Sequence, residues 1–306
     1  MTDCFRDKHN FKKPNDWKGN QLMRDLCYYN GRYAPIDEMM VPLNDRSYYF
    51  GDALYEAVYA QNHIMFAVED HLDRMYNSFK EMEMNFSISR EEVKSIMQNI
   101  VDQVDSNEQM IYIQASHGTY KRQHSFPPSD VPCNLLIYSN HHPLRDIYTD
   151  HKLVTAEDTR WHHCNLKTPN LLPNVWAMQK AKDAGCTEAV FHRGNLVTEC
   201  AAATIFIIQD HTLRTAPNSN LILPGTTRAH FLRIAKENGI PTREEAFTLE
   251  EMFSADEVFF TGCTAHCVHV SHIDGRPVGG KDPDLIRFLQ QTYRSWLNSV
   301  CGELKK

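Results

Sequence analysis

The sequence predicts a two-domain protein of the α+β class. Its 306 residues are enough for two domains of ordinary size. Short strand signals joined by turns are grouped together, whereas a parallel α/β sheet would show strands and helices in regular alternation. A polar stretch without periodicity, residues 139–150, is the candidate linker. We therefore expect an N-terminal extension over residues 1–25, a small α+β domain over 26–144 and a larger domain over 145–306.

The small domain is predicted to begin as a sheet and to continue with helices. Asn30-Gly31 is a hairpin turn signal, and Ser89 with Glu92 forms a capping box before an apolar helical pattern. The predicted strands cover residues 26–29, 53–60, 63–67 and 110–115, and the predicted helices cover residues 69–84 and a segment that starts at Ser89.

Arg74 lies on the first of these helices, away from its apolar stripe. The stripe consists of Leu72, Met75, Phe79 and Met82. Arg74 is about 200° around the helix axis from Leu72, at about 100° per residue, so its side chain projects away from the core face. We expect its guanidinium to be free to bind a ligand.

The larger domain is predicted to contain hairpins and helices, with antiparallel pairing and no βαβ repeats. Gly185 and Gly239 close two helices, Thr248 with Glu251 forms a capping box, and Pro283 introduces the last helix. The predicted strands cover residues 152–155, 188–192, 196–199, 204–208, 212–215, 257–261 and 267–271, and the helices cover 170–184, 227–238, 248–253 and a final segment after Pro283.

Composition narrows the class of function. The formal net charge of -7, without a cluster of basic residues, argues against a nucleic-acid partner. No apolar run approaches the ~20 residues that a transmembrane helix needs. The nine cysteines form no CxxC pair, which is typical of reduced thiols in the cytoplasm, and the polar N-terminus does not have the pattern of a secretory signal. Small molecules are therefore the expected partners.

Two motifs in the last third of the chain are misleading. Residues 275–281 have the spacing of a phosphate-binding loop, but Asp282 stands where a serine or threonine would bind magnesium, and a hairpin tip explains the glycines. A run of thiol and imidazole residues alternates between opposite faces of a strand, so we predict no metal site. That run consists of Cys263, His266, Cys267, His269 and His272.

Three features of the larger domain together indicate pyridoxal phosphate. Lys167 supplies an amine just before a helix, and Glu199 supplies a carboxylate at the end of an apolar strand. Residues 224–228, Pro-Gly-Thr-Thr-Arg, open a helix whose first N–H groups can bind a phosphate. This cofactor requires a lysine for the imine, an anion beside its pyridine nitrogen and donors around its phosphate. Taken singly, each feature has a more ordinary explanation. Lys167 would be a solvated loop lysine, Glu199 would form a surface salt bridge, and residues 224–228 would be an ordinary helix start.

The order of five segments gives the chain a family resemblance. Over about residues 26–297 it resembles the fold-type IV pyridoxal-phosphate enzymes, which include the D-amino-acid and branched-chain aminotransferases, and it is most similar to the D-amino-acid group. The segments that carry the resemblance are residues 45–52, residues 69–74, the Lys167 loop, Val197-Thr198-Glu199 and residues 223–228.

This resemblance implies a role for each residue at the cofactor. It implies that Lys167 forms the Schiff base and shuttles the α-proton, and that Glu199 pairs with the pyridine nitrogen. It further implies that a second group of residues holds the phosphate or packs on the ring. These are Arg74, Leu223, Thr226, Thr227 and Cys263.

The resemblance also implies the substrate. Arg122 and His124, with Tyr55, match the residues that hold the α-carboxylate in the D-amino-acid group. The implied reaction is a ping-pong transfer of the amino group from a D-amino acid such as D-alanine to a 2-oxo acid, either 2-oxoglutarate or pyruvate. A homodimer is also implied, because members of the family build their site near a subunit interface.

Two departures from the family pattern leave other functions open. Ala201-Ala202-Ala203 stands where glycine and hydroxyl residues are usual, and Cys263 replaces a threonine that often donates to phosphate. The thiol is the weaker donor, so cofactor affinity is expected to be lower. The alternatives are a branched-chain L-amino-acid aminotransferase, an (R)-amine transaminase and a non-catalytic homologue.

Overall fold

The structure, a computed structural model, describes residues 23–149 and 151–304. Most of the predicted N-terminal extension, residues 1–22, lies outside the described residues. The helices are α1 (Arg46–Phe50), α2 (Val68–Glu81), α3 (Arg90–Gln103), α4 (Leu172–Asp183), α5 (Thr226–Glu237), α6 (Leu249–Ser254) and α7 (Pro283–Cys301). The strands are β1 (Asp25–Tyr29), β2 (Arg32–Ala34), β3 (Ala53–Gln61), β4 (Ile64–Met65), β5 (Glu108–Ser116), β6 (Asn134–His141), β7 (His151–Glu157), β8 (Glu188–Arg193), β9 (Leu196–Cys200), β10 (Thr204–Gln209), β11 (Thr212–Thr215), β12 (Thr242–Glu244), β13 (Glu257–Gly262), β14 (His266–Ile273) and β15 (Arg276–Pro277).

The first six strands form one antiparallel sheet in the order β2-β1-β6-β5-β3-β4. One face of this sheet buries its apolar residues against α2 and α3, because alternate residues of a strand point to the same side. Tyr55 and Ala57 are on the opposite face, which turns toward the second sheet. The small-domain sheet thus forms one wall of a cavity.

The remaining strands form the second sheet, in the order β12-β11-β10-β13-β14-β7-β8-β9, with β15 paired to β14. Its two faces carry separate apolar clusters, one under α5 and α7 and the other beside α6. The prediction of purely antiparallel pairing was wrong, because β7 pairs with both β8 and β14 in parallel. α4 makes the crossover between β7 and β8, as a parallel connection requires.

The mixture of helices and strands confirms the α+β class. The strand β6 was not predicted, and it includes residues 139–141 of the proposed linker. The domain boundary near residue 145 stays a prediction, although the chain passes from the first sheet to the second between β6 and β7. Within the described residues, the helices are all too short or too polar to cross a membrane.

Candidate active site

A cavity of about 720 Å³ lies between the two sheets. It brings together the predicted cofactor residues, which come from both halves of the chain. Its walls also include residues that the sequence did not point to, among them Arg160, Glu188 and His71. The predicted residues that line it are Tyr55, Arg74, Lys167, Glu199, Leu223, Thr226, Thr227 and Cys263.

Lys167 reaches into the cavity from the loop between β7 and α4. Its Nζ lies 4.3 Å from the centroid of the Tyr55 ring, and its carbonyl accepts a hydrogen bond of 2.8 Å from the Tyr55 N–H. The Tyr55 ring stacks in turn on Tyr112, with 5.4 Å between centroids. The small-domain sheet therefore fixes both ends of Lys167, its backbone and its amine.

Glu199 is buried at the end of β9 and is held by two donors. Arg160 Nη1 donates to its Oε1 at 2.5 Å, and the Leu223 N–H donates to its Oε2 at 3.1 Å. This arrangement places Glu199 in the wall of the cavity. A carboxylate fixed in this way can serve as the hydrogen-bond acceptor for a protonated ring nitrogen.

Arg160, which no local sequence pattern marks, is the counter-charge of Glu199. Its guanidinium also pairs with Asp158, at 2.9 Å from Nε to Oδ1, and Asp158 accepts a hydrogen bond from Thr198. Burial alone would lower the pKa of Arg160, but Asp158 and Glu199 together raise it. Arg160 therefore stays charged. Its only sequence signal was indirect, since a buried carboxylate such as Glu199 requires a cation nearby.

The N-terminus of α5 forms an anion-binding cup. The helix begins at Thr226, and its first turn lines one end of the cavity. Among the described residues no side chain caps this end of the helix, so its first N–H groups are available to a ligand. A Cβ at Gly225 would lie 2.8 Å from Thr204 Oγ1, so a larger residue would disturb this turn. The free N–H groups and the helix dipole are suited to a phosphate.

Arg74 lies beside this cup, but its guanidinium is not free as predicted. Nε and Nη2 each donate to Glu56 at 2.7 Å, and Nη1 donates to the Pro224 carbonyl at 2.9 Å. The helical angle correctly placed Arg74 away from the apolar stripe, but it could not show that Glu56 on β3 is buried opposite. Burial would raise the pKa of Glu56, yet Arg74 and His71 lower it.

Arg122 and His124 do not join the other predicted residues. Both side chains are exposed and neither lines the cavity; the Arg122 guanidinium lies 5.4 Å from the Phe50 ring centroid, and the His124 ring lies 5.6 Å from it. Arg46 holds their loop by donating to the carbonyls of Gln123, at 2.8 Å, and Ser125, at 3.2 Å. Within one chain, the predicted carboxylate trap is therefore separate from Lys167.

The residues present fit pyridoxal phosphate. At the cup end, Thr261 lines the cavity and has a buried Oγ1 with no hydrogen-bond partner among the described residues. An unsatisfied buried hydroxyl next to unsatisfied helix N–H groups indicates a site for an anion with several acceptor oxygens. The amine of Lys167 and the anion Glu199 lie in the same cavity.

A comparison of the chain with protein families agrees with this geometry. The family model described as amino-transferase class IV matches residues 53–273. The chain belongs to this family. Class IV aminotransferases are pyridoxal-phosphate enzymes of fold type IV, so the predicted family, cofactor and enzyme class are confirmed.

The curated relatives of this aminotransferase are similar over most of its length. The D-alanine aminotransferase of Listeria monocytogenes serotype 4b (strain F2365) is 34% identical over 284 residues, which cover 90% of this chain and 97% of the relative. The D-alanine aminotransferase of Staphylococcus aureus (strain MSSA476) is 35% identical over 278 residues, with 90% and 99% covered.

Solved structures of branched-chain aminotransferases share the fold. The enzyme from the thermophilic archaeon Thermoproteus uzoniensis, solved with norvaline, has a TM-score of 0.81 and 24% identity, and the match covers 90% of this chain and 95% of that one. The branched-chain amino acid aminotransferase from Escherichia coli has a TM-score of 0.78 and 21% identity, with 93% and 97% covered. At this identity the likeness shows the fold alone.

Proposed function

We propose that this aminotransferase moves the amino group of a D-amino acid, such as D-alanine, to 2-oxoglutarate or pyruvate in two half-reactions of a ping-pong mechanism. The observation that carries the proposal is the position of Lys167 Nζ, 4.3 Å from the Tyr55 ring, in one cavity with Glu199 and the α5 cup. The D-alanine aminotransferases, which are similar over 90% of this chain, support the choice of a D-amino acid.

The cofactor residues have complementary roles in this proposal. When bound, pyridoxal phosphate supplies an electron sink for the bond that breaks at the substrate α-carbon. The N–H groups of Thr226 and Thr227 hold its phosphate, with Arg74 and Cys263 beside them. Glu199 would accept a hydrogen bond from the protonated ring nitrogen. Burial raises the pKa of its carboxyl, and Arg160 and the Leu223 N–H oppose that rise.

Lys167 carries the proton in this scheme. Its Nζ takes the α-proton of the amino acid and returns a proton to the product, so one residue serves both half-reactions. The ring of Tyr55 lies beside the amine, and Leu223, which lines the same cavity, would pack on the face of the cofactor ring. The small-domain sheet forms one wall of the cavity in which this proton transfer takes place.

We infer that the substrate carboxylate is bound by Tyr55 together with Arg122 and His124 of a second copy of the chain. The exposed position of the Arg122 loop, outside the cavity of its own chain, supports a role in trans. A guanidinium two residues from an imidazole suits a carboxylate. Exposed apolar side chains that a homodimer could cover are also present, namely Met40, Leu43, Tyr48, Val175 and Trp176.

Absorbance of the bound cofactor tests the substrate. The purified enzyme should lose its visible cofactor band when D-alanine is added without an acceptor, and D-alanine with 2-oxoglutarate should yield pyruvate and glutamate. No change with any D-amino acid in a panel would contradict the proposal.

A branched-chain L-amino-acid aminotransferase is the second candidate, because the solved structures described above are named for that activity. The same panel separates the two candidates. Loss of the cofactor band with L-leucine, but not with D-alanine, would support the branched-chain enzyme and reject the D-amino-acid one.

Mixed dimers test whether the carboxylate trap acts in trans. One chain carries Lys167→Ala and the other carries Arg122→Ala with His124→Ala. If the trap acts in trans, each mixed dimer has one site with all the changes and one intact site, so activity returns on mixing. If the trap acts within its own chain, each site lacks one component and mixing restores nothing.

A further inference from the structure

Cys263 places a thiol in the cavity at its phosphate end. The residue follows β13 and lines the cavity together with His71, Arg74 and Thr226. Its side chain is neither fully buried nor fully exposed, and it forms no disulfide. A reagent that enters the cavity therefore has access to the sulfur.

Two cationic side chains, His71 and Arg74, line the cavity together with Cys263. His71 Nδ1 lies 2.9 Å from Glu56 Oε2, and its Nε2 lies 3.4 Å from Thr226 Oγ1. Burial alone would lower the pKa of His71, but the Cys263 side chain and Glu56 raise it to about 9. Arg74 is the second cation; burial would lower its pKa, but Glu56 raises it. An anionic reagent that enters the cavity therefore meets two cationic side chains in the same wall as Cys263.

A second, independent feature indicates that an anionic ligand occupies this end of the cavity. Thr261 lies two residues before Cys263 and lines the same cavity. Its Oγ1 is buried and has no hydrogen-bond partner among the described residues. Since buried hydroxyls are normally paired, this one is expected to donate to a ligand oxygen in the cavity that Cys263 also lines.

The other described cysteines are less suited to react. Cys164 and Cys200 also line the cavity, but both are buried, and burial raises the pKa of each thiol. Cys133 and Cys186 are partly exposed but lie outside the cavity lining. Burial raises the pKa of Cys133 to about 11 and also raises that of Cys186. Cys27, Cys267 and Cys301 are buried.

We propose that Cys263 is a thiol–disulfide exchange site at which a low-molecular-weight disulfide and the cofactor phosphate exclude each other. The Cys263 sulfur attacks one sulfur of the disulfide, a mixed disulfide bond forms, and the original bond breaks. Cys263 is oxidised and the departing half is reduced to a thiol, which takes up through solvent the proton that Cys263 loses. Because the added group fills the cup, the modified chain cannot bind the cofactor phosphate. This inference rests on the cofactor assigned above.

Labelling by an aromatic disulfide, 5,5'-dithiobis(2-nitrobenzoate), tests the proposal on the unaltered chain. The rate at each cysteine is measured by mass spectrometry for the holoenzyme, for the protein freed of cofactor, and for the latter with inorganic phosphate. Cys263 should react at least tenfold more slowly in the holoenzyme, and phosphate alone should slow Cys263 but leave Cys133 unchanged. Equal rates at Cys263 in all three states would overturn the proposal.

Cofactor uptake provides the second readout. After labelling, the cofactor-free protein should fail to regain the visible band with pyridoxal phosphate, and dithiothreitol should restore it. In Cys263→Thr, which keeps a small donor side chain, the same treatment should leave cofactor uptake at the level of the untreated variant, whereas the control Cys133→Ser should remain sensitive. Continued loss of uptake in Cys263→Thr would contradict the proposal. If that variant fails to fold, the labelling rates of Cys263 in the unaltered chain, with and without cofactor, still test the proposal.

The two proposals fail in different ways. If the unmodified protein binds pyridoxal phosphate but transfers no amino group from D- or L-amino acids, the proposed function is wrong and Cys263 protection is unaffected. If transamination proceeds but Cys263 reacts equally fast with and without cofactor, only the exchange site is rejected.

Discussion

The cofactor end of the site and the substrate loop are built in different ways. The cofactor end is buried, and its charged residues are fixed by other charged residues, as in the pairs of Glu199 with Arg160 and of Arg74 with Glu56. Arg122 and His124 are exposed and contact the ring of Phe50. The ion pairs that fix the first region all lie within one chain, whereas Arg122 and His124 lie outside the cavity that contains Lys167.

This difference follows from the cost of burying charge. A buried carboxylate or guanidinium needs a partner of opposite charge, since leaving either one alone costs several kcal/mol, about 3–5 when a pair is broken. An exposed arginine is hydrated and needs no such partner. The ion pairs of the cofactor end can therefore be in place before a ligand binds, and in the proposed function the Arg122 loop acts only beside a second copy of the chain.

The largest effect is expected for Lys167→Ala. The change removes both the amine and the proton carrier, so kcat should fall by at least about 10³-fold and the imine absorbance should disappear. Lys180→Ala is the matched control, because Lys180 is on nearby α4 and donates to the Thr155 carbonyl outside the cavity lining. Transamination that survives in Lys167→Ala would show that another group is the nucleophile.

Arg160→Met tests whether buried pairs fix the cofactor end. It leaves Glu199 and Asp158 without their shared cation, so the free energy of unfolding should fall by about 3–5 kcal/mol. Denaturant unfolding of the cofactor-free protein measures this loss. Arg193→Met is the control, because Arg193 is more exposed and pairs with Asp158 at 3.2 Å, so a smaller loss is expected. Equal losses in the free energy of unfolding would mean that the buried Arg160–Glu199 pair stabilises the protein no more than the more exposed Arg193–Asp158 pair.

A third test concerns Glu188, a buried carboxyl in the wall of the same cavity. Burial raises its pKa from 4.5 to about 7, with opposition from the Ala189 N–H and Arg145. The native protein therefore binds more protons than the unfolded chain between these pH values, and stability falls as pH rises through them, by up to about 3 kcal/mol.

Glu188→Gln should flatten this pH dependence, because the amide does not ionise. Urea unfolding between pH 4.5 and 6.5 measures it, and this window separates Glu188 from His71, whose raised pKa makes stability fall only above about pH 6.5. The control Glu250→Gln, at an exposed position of α6, should keep the slope of the unaltered protein. If the slope is unchanged in Glu188→Gln, the pH dependence of stability does not come from Glu188.

The sequence predicted the cofactor end better than the contacts that stabilise it. Lys167, Glu199 and the Gly225 turn are marked by local signals, namely a helix start, a strand end and a glycine before threonines. No local signal marks the charged partners. Arg160 and Glu199 are 39 positions apart in the sequence, and Arg74 and Glu56 are 18 positions apart. Such pairs depend on how separate elements pack, which no local pattern contains.

The same limit explains the errors in the fold. The strand β6 follows a long loop without a hairpin signal, so its pairing with β5 and β1 could not be predicted from neighbouring residues. The parallel pairing of β7 and β8 depends on the crossover through α4. The hairpin signals that follow β8 in the sequence instead indicated antiparallel pairing. The position of the Arg122 loop outside the cavity was equally absent from the sequence.

The smallest of these effects is expected for Arg122→Ala, which tests the substrate loop alone. A charge-assisted hydrogen bond to a carboxylate contributes about 1.5–3 kcal/mol, so KM should rise about 10- to 100-fold for both D-alanine and 2-oxoglutarate. The cofactor band and the free energy of unfolding should not change, because Arg122 is exposed. Lys121→Ala, next to it, is the control. A rise in KM for neither substrate would reject the trap, and loss of the cofactor band would show that the two regions are not separate.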